Sequence, residues 1–308
     1  MAASRILVGH DGSPHAQDAL ALGRLLSTYT GAELVLARVV PWEPLPLQAM
    51  PIPELKNRYE EEERAALAQL REAADRIGAS AEAGPGESPS QGLQLLAEEL
   101  NPDVVVVGSS HRGRIGQVLA GNIALRLLNG LDRPLAVAPA GYAGGAGELR
   151  TIGVGFDGSM ESRAALRAAG ELASAAHAEV RVIGVATSHA EVATHPRAFA
   201  WGAGAGRDDL HERLRSAVES AAGSLPTGVA HSVELHTGGP ATVLMDEGQT
   251  LDLLVLGSRG YGPARRLLLG SVSSQLVRGA PCPVLVVPRP ETRESGERAT
   301  AAEGASRA

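Results

Sequence analysis

DLLVLGSRGYGPARRLLLGSVSS, residues 252–274, carries the reading of the whole chain. The apolar run Leu253 to Leu256 stops at Gly257, glycine returns at Gly260 and Gly270, and Ser271 and Ser273 follow. An apolar run bounded by glycine predicts a buried strand. The glycine- and serine-rich stretch after it predicts a loop of bare backbone that leads into a helix. A helix start concentrates unpaired N–H groups and the positive end of the helix dipole, so it favours an anion such as phosphate. Glycine removes the Cβ that would hold a ligand away from the backbone.

The unit occurs twice. Residues 103–139 align without a gap on 252–288: Asp103 falls on Asp252, Gly108 on Gly257, Gly113 on Gly262, Gly121 on Gly270, Pro134 on Pro283 and Pro139 on Pro288. Upstream, ILVGHDGS (6–13) aligns with IGVGFDGS (152–159), which pairs Gly9 with Gly155 and Asp11 with Asp157. Ala19-Leu20 and Ala165-Leu166 follow in register. A period of half the chain is a domain duplication rather than a solenoid, whose units run to a few dozen residues. The expected layout is a first domain over 1–141, a glycine- and alanine-rich linker over 142–148, a second domain over 149–290 and a polar disordered tail over 291–308.

Length agrees, because 308 residues suit two domains of ordinary size. With 44% apolar but only 3% aromatic residues, the two cores must be built from Val, Leu, Ile and Ala. The net charge of −7 offers no electrostatic footprint for nucleic acid. A single cysteine, Cys282, leaves no internal disulfide and suits a reducing compartment. The N-terminal MAASRILVGHDG lacks a signal-peptide core, and no apolar run approaches the ~20 residues of a membrane helix. These features predict a cytoplasmic protein without a membrane partner.

Each half reads as strands alternating with helices, the pattern of a parallel sheet covered on both faces. In the first half the strands are Ile6 to Val8, Glu33 to Val40, a weak Ser80 to Gly86, Val104 to Val107 and Leu135 to Ala138. Between them lie helices from Ser13-Pro14 to about Tyr29, through Glu60 to Glu63 up to about Ile77, over Gln91 to Leu100 and over Asn122 to Leu128, with a proline-rich loop at Pro41 to Pro53. Ser before Pro is a standard helix start. The second half repeats this order, its third strand marked by alternating Val229, His231, Val233 and Leu235.

The spacing G-x2-G-x9-G-S over Gly257, Gly260, Gly270 and Ser271 resembles the nucleotide motif of the universal stress protein family, in its ATP-binding branch. The resemblance covers nearly the whole chain. It implies an α/β fold of two flavodoxin-like (Rossmann-like) domains, each a five-stranded parallel sheet of order 3-2-1-4-5, paired through their last strands as an internal pseudo-dimer. The first and fourth strands would then be neighbours, and their glycine-rich turns would form one crevice beyond the strand carboxyl ends, where open α/β sheets bind ligands. The implied site in the second half comprises Gly155, Asp157, Val185, Gly257, Arg259, Gly260, Gly270, Ser271, Val272 and Ser273. Asp157 would face the ribose or a phosphate-bound Mg ion, Val185 the adenine, and the glycines and serines the phosphates. The implied function is that of an ATP-binding stress-response sensor or adaptor, and the family also allows a homodimer.

The first half departs from this pattern. Its corresponding positions are Gly9, Asp11, Val39, Gly108, His111, Gly121 and Asn122, with His111 in the place of Gly260 and Asn122 in that of Ser271. An imidazole stands where backbone should approach phosphate, which Arg112 and Arg114 can offset only in part. A weaker or empty site is expected there.

Other chemistries find little support. GVGFDG (153–158) matches the dinucleotide fingerprint, but the repeat sets Gly153 against Leu7, inside a strand rather than a turn. The single lysine, Lys56, lies outside any G-x4-G-K-[ST] sequence, so there is no Walker-type site. No G-x-S-x-G elbow is present. Cys282, between Pro281 and Pro283, reads as a packing residue. No histidine, including His189, His195, His231 and His236, forms a tight ligand spacing with cysteine, so no zinc site is expected. Two other readings stay open: a slow Mg-dependent ATP hydrolase or phosphotransferase using Asp157, and a nucleotide-free interaction protein.

Overall fold

The computed structural model describes residues 4–41, 52–109, 122–145, 147–186, 207–258 and 270–288. Ten strands form one sheet: β1 (Arg5–Gly9), β2 (Glu33–Pro41), β3 (Ser80–Gly86), β4 (Val104–Gly108), β5 (Leu135–Ala138), β6 (Thr151–Phe156), β7 (Glu179–Ala186), β8 (His231–Thr237), β9 (Leu253–Gly257) and β10 (Val284–Val287). The helices are α1 (Pro14–Thr30), α2 (Ile52–Asp75), α3 (Pro89–Leu100), α4 (Asn122–Leu127), α5 (Met160–Ala176), α6 (Arg207–Ala222), α7 (Pro240–Glu247) and α8 (Ser271–Gly279).

The sheet order is β3-β2-β1-β4-β5-β10-β9-β6-β7-β8. All neighbours within a half are parallel, and the halves meet in one antiparallel pair, with Val284 opposite Val137 and Val286 opposite Leu135. The expectation from sequence is two five-stranded sheets paired through their last strands, and in the structure the two sets of five strands meet there in one continuous ten-stranded sheet. The reason is local. β5 and β10 are four-residue apolar strands buried along their whole length, and each would otherwise leave an edge of unpaired backbone.

Both faces are covered. Ile6, Val8, Ile152 and Val154 pack with α1, α2, α5 and α6, while Leu7, Val35, Val105 and Leu254 pack with α3, α4, α7 and α8. Because successive strand residues point to opposite faces, continuous runs such as VVVVG and LLVLG serve both layers at once. The aligned aspartates Asp103 and Asp252 hold the strand amino ends, away from the crevice. Asp103 accepts from the Arg5 amide and the Ser4 hydroxyl, and Asp252 from the Arg150 and Thr151 amides.

The stretch read as a linker is fastened to α1. Tyr142–Gly144 form a 3-10 turn, and the Gly141 and Ala143 amides donate to the buried Asp18 carboxylate at 2.9 and 2.8 Å. In the second half the third strand begins at His231 rather than Val229, because the Val229 amide closes a turn onto the Pro226 carbonyl. The loop over 42–51 and the tail over 291–308 lie outside the described residues.

Candidate functional site

The crevice of the second half is assembled from two strand ends. β6 and β9 are hydrogen-bonded neighbours, with Gly155 opposite Leu256, so the turn after β6 and the chain after β9 leave the sheet side by side. After β6, Gly158 adopts φ +76°, a left-handed conformation suited to glycine. The Asp157 carboxylate accepts from the Ser159 amide at 3.0 Å, and the Ser159 hydroxyl caps α5 by accepting from the Ser162 amide. The first half repeats this turn with Gly12 at φ +85°, Asp11 accepting from Ser13, and Ser13 capping α1. Burial raises the pKa of Asp11, but the hydrogen bonds from Ser13 outweigh it and hold the carboxyl below its ordinary value. Both aspartates are solvent-exposed in the turns that follow β1 and β6.

Gly257 has a packing reason of its own. A Cβ there would stand 2.4 Å from the Glu161 carbonyl carbon, in the first turn of α5, and one at Gly108 would stand closer still to the His15 carbonyl oxygen in α1. The helix start lies directly against the strand end in both halves, which brings the Asp-Gly-Ser turn next to the chain leaving the fourth strand. Gly155 and Gly9 face side chains instead, Leu244 and Leu256 in one half and Leu93 and Val107 in the other.

α8 joins two parallel strands, β9 and β10, so it runs back along the sheet and starts on the carboxyl-end side. Its N-cap is Gly270, and no side-chain cap bond is present. Here α8 differs from α1 and α5, which serine caps. Ser271 and Val272 occupy the first turn at intermediate burial. Ser273 is buried, and its hydroxyl donates to the Gly270 carbonyl, as does that of Ser274. The expectation that the Ser273 side chain faces phosphate does not fit this geometry, which leaves its backbone in the helix start as the contributing part. Val185 lies half-buried near the end of β7, one strand out from β6, and Val39 holds the corresponding place in β2. Arg259, Gly260, His111, Gly121, Arg112 and Arg114 lie outside the described residues, and for Asn122 the backbone alone is described, as the first residue of α4.

One group the sequence reading missed is Ser258. It follows Gly257 directly, is 2% exposed, and its hydroxyl has no hydrogen-bond partner among the described residues. Its backbone amide is tied to the Val287 carbonyl, which fixes the chain at the crevice mouth. A hydroxyl after glycine is common in loops, and nothing in its spacing marks it as buried.

A second group lies away from the crevice, on the outer edge of the sheet. Arg181 on β7 donates to both carboxylate oxygens of Glu234 at 2.7 and 2.8 Å, to Glu247 at 2.5 Å and to the Thr250 hydroxyl at 2.8 Å. The Arg181 hydrogen bond holds the Glu234 carboxyl below the usual carboxylate range, and that bond with Glu234 in turn raises the guanidinium pKa.

Comparison with known proteins decides the family. The model of the universal stress protein family matches residues 3–139 and again 148–288. The chain belongs to the universal stress protein family. A universal stress protein of Mycobacterium tuberculosis is 33% identical over 233 residues, covering 73% of this chain and 77% of that one. One from Mycolicibacterium smegmatis is 28% identical over 193 residues, covering 63% and 64%. The crystal structure of a universal stress protein from Archaeoglobus fulgidus superposes with a TM-score of 0.64 at 19% identity, covering 94% of this chain and all of that one. At that identity the likeness shows the fold. The tandem arrangement therefore belongs to a universal stress protein with a parallel α/β sheet, and among the described residues no helix is long and apolar enough to cross a membrane.

Proposed function

We propose that this universal stress protein binds one adenine nucleotide, ATP, in the crevice of its second half and acts as a nucleotide-dependent sensor or adaptor in the cytoplasm. The observation that carries the reading is the start of α8. It lacks a side-chain cap at Gly270 and opens on the carboxyl side of β9, where N–H groups and the helix dipole favour phosphate. The buried, unpartnered Ser258 hydroxyl supports it, since such groups are ordinarily satisfied by protein, water or ligand. In this reading Asp157 binds the ribose or a phosphate-bound Mg ion, Val185 lines the adenine, and Gly257, Arg259, Gly260, Gly270, Ser271, Val272 and Ser273 surround the phosphates with backbone and side-chain donors. The two halves act as an internal pair joined through β5 and β10.

The first-half crevice binds weakly or not at all in this reading, because His111 and Asn122 replace a glycine and a serine. Losing one hydrogen bond to a charged group costs about 1.5–3 kcal/mol, and each 1.4 kcal/mol is about tenfold in affinity. Calorimetric titration with ATP and Mg tests the assignment. Asp157→Ala weakens binding at least about tenfold, whereas Asp11→Ala leaves it nearly unchanged. Equal sensitivity of the two positions would remove the second half from its assigned role.

A further inference from the structure

At the outer edge of the second half, Glu234 and His236 on β8 and Glu247 at the end of α7 present three potential ligand atoms within 4.8 Å of one another. His236 Nε2 lies 3.5 Å from a Glu234 oxygen and 3.4 Å from a Glu247 oxygen. That nitrogen is enclosed, and among the described residues these two carboxylates are the groups it faces, at distances longer than a well-formed hydrogen bond. A tetrahedral ion with ligand bonds of 2.0–2.1 Å holds its donors roughly 3.3 Å apart, so the spacing is that of a shared ion rather than of a direct hydrogen bond. Charge points the same way. One guanidinium, Arg181, faces two carboxylates, so with a neutral His236 ring one negative charge is left for a bound cation to balance, among carboxylate and guanidinium side chains only 18–27% exposed.

The duplicate half shows what these positions need for the fold alone. Strand register places Val35 at the position of Arg181 and Gly84 at that of His236, and counting from the prolines that open α3 and α7 places Leu96 at that of Glu247. Val35 and Leu96 are buried in the core, and Leu96 packs over Gly84. Apart from the exposed Glu82, which register places at the position of Glu234, the same layer is thus closed by apolar contact in one half and by an ionic group in the other. Replacing apolar packing with partly buried charge is not a gain in stability by itself, so the fold does not explain the group.

We propose that Glu234, His236 and Glu247 bind a divalent cation of the zinc class, with Arg181 orienting both carboxylates. Two carboxylates and one imidazole suit zinc, cobalt(II) or nickel(II) better than magnesium or calcium, which favour oxygen ligands alone. Three protein ligands leave a fourth position to water or another donor. Arg181 meets the demand for second-sphere hydrogen bonds that fix the ligating carboxylates.

The test uses the full chain, stripped of metal and free of nucleotide so that phosphates contribute no ligands. Zinc binding is measured by competition with a chromophoric chelator, and cobalt(II) is added separately as a spectroscopic probe. One zinc per chain is expected, and cobalt(II) gives the intense visible bands of a four-coordinate site. His236→Ala and Glu247→Gln each weaken zinc binding by more than the roughly 10–100-fold typical of second-sphere changes, and the cobalt bands disappear. His231→Ala, on the exposed start of the same strand, leaves both unchanged. Absence of zinc binding by the unmodified chain up to millimolar concentration overturns the proposal. So does zinc binding that persists undiminished in both ligand variants.

Discussion

Single positions show how one backbone carries different chemistry in its two copies. His10 ends the strand region of the first half, where Phe156 stands in the second, and both are buried. Gln17 approaches the His10 ring at 3.3 Å, and the corresponding Arg163 lies over the Phe156 ring at 5.7 Å from its centre. Burial pulls the His10 pKa below its ordinary value, so the folded state keeps the ring neutral at a pH where the unfolded chain protonates it. The unfolded state therefore binds more protons between the two pKa values. Stability rises with pH through that window and levels off above about 6.5. His10→Phe, which copies the other half, removes this dependence. Urea unfolding at pH 5 and at pH 7.5 checks it: the stability lost on acidification is smaller in the variant, and an equal loss would contradict the assignment. Cys282 belongs at this scale too. Burial pushes its thiol pKa to about 12, in keeping with a packing role rather than a nucleophilic one.

Among elements, the parts written in apolar runs were legible and the parts decided by contact were not. Leu135 to Ala138 and Ser80 to Gly86 are strands over the residues their sequence suggested, and the serine-proline start of α1 carries its cap. Alternating Val233 and Leu235 marked the core-facing side of β8, but nothing in the sequence singled out Glu234 or grouped it with His236 on the opposite side. Its partners Arg181 and Glu247 come from two other elements, 53 and 13 residues from Glu234, and only folding brings them together. The turn at Asp157 was legible as a turn, while its contact with β9 was not. Gly257 is the clearest case. Its place in a motif suggested close approach to phosphate, yet the structure sets it against the backbone of α5. Gly257→Ala should therefore destabilise the protein by about 1–3 kcal/mol, as overpacking of a tight contact does, with or without ATP present. Chemical denaturation measures this, and a variant as stable as the parent would return the glycine to a purely ligand-facing role.

For the molecule as a whole, duplication supplies two crevices on one sheet and lets them diverge. The antiparallel join of β5 and β10 removes both sheet edges at the centre, so the halves share one framework. At the proposed sites the halves differ: Gly260 stands against His111, Ser271 against Asn122, and Arg181, His236 and Glu247 against Val35, Gly84 and Leu96. The turns that build each crevice, Asp11-Gly12-Ser13 and Asp157-Gly158-Ser159, stay the same. On this account the second half is the binding unit and the first its structural partner. Equilibrium dialysis of the full chain against saturating ATP with Mg tests this most directly by counting bound nucleotide. The account predicts one ATP per chain, with the Kd raised at least about tenfold in Asp157→Ala and nearly unchanged in Asp11→Ala; two per chain, or none, would contradict it.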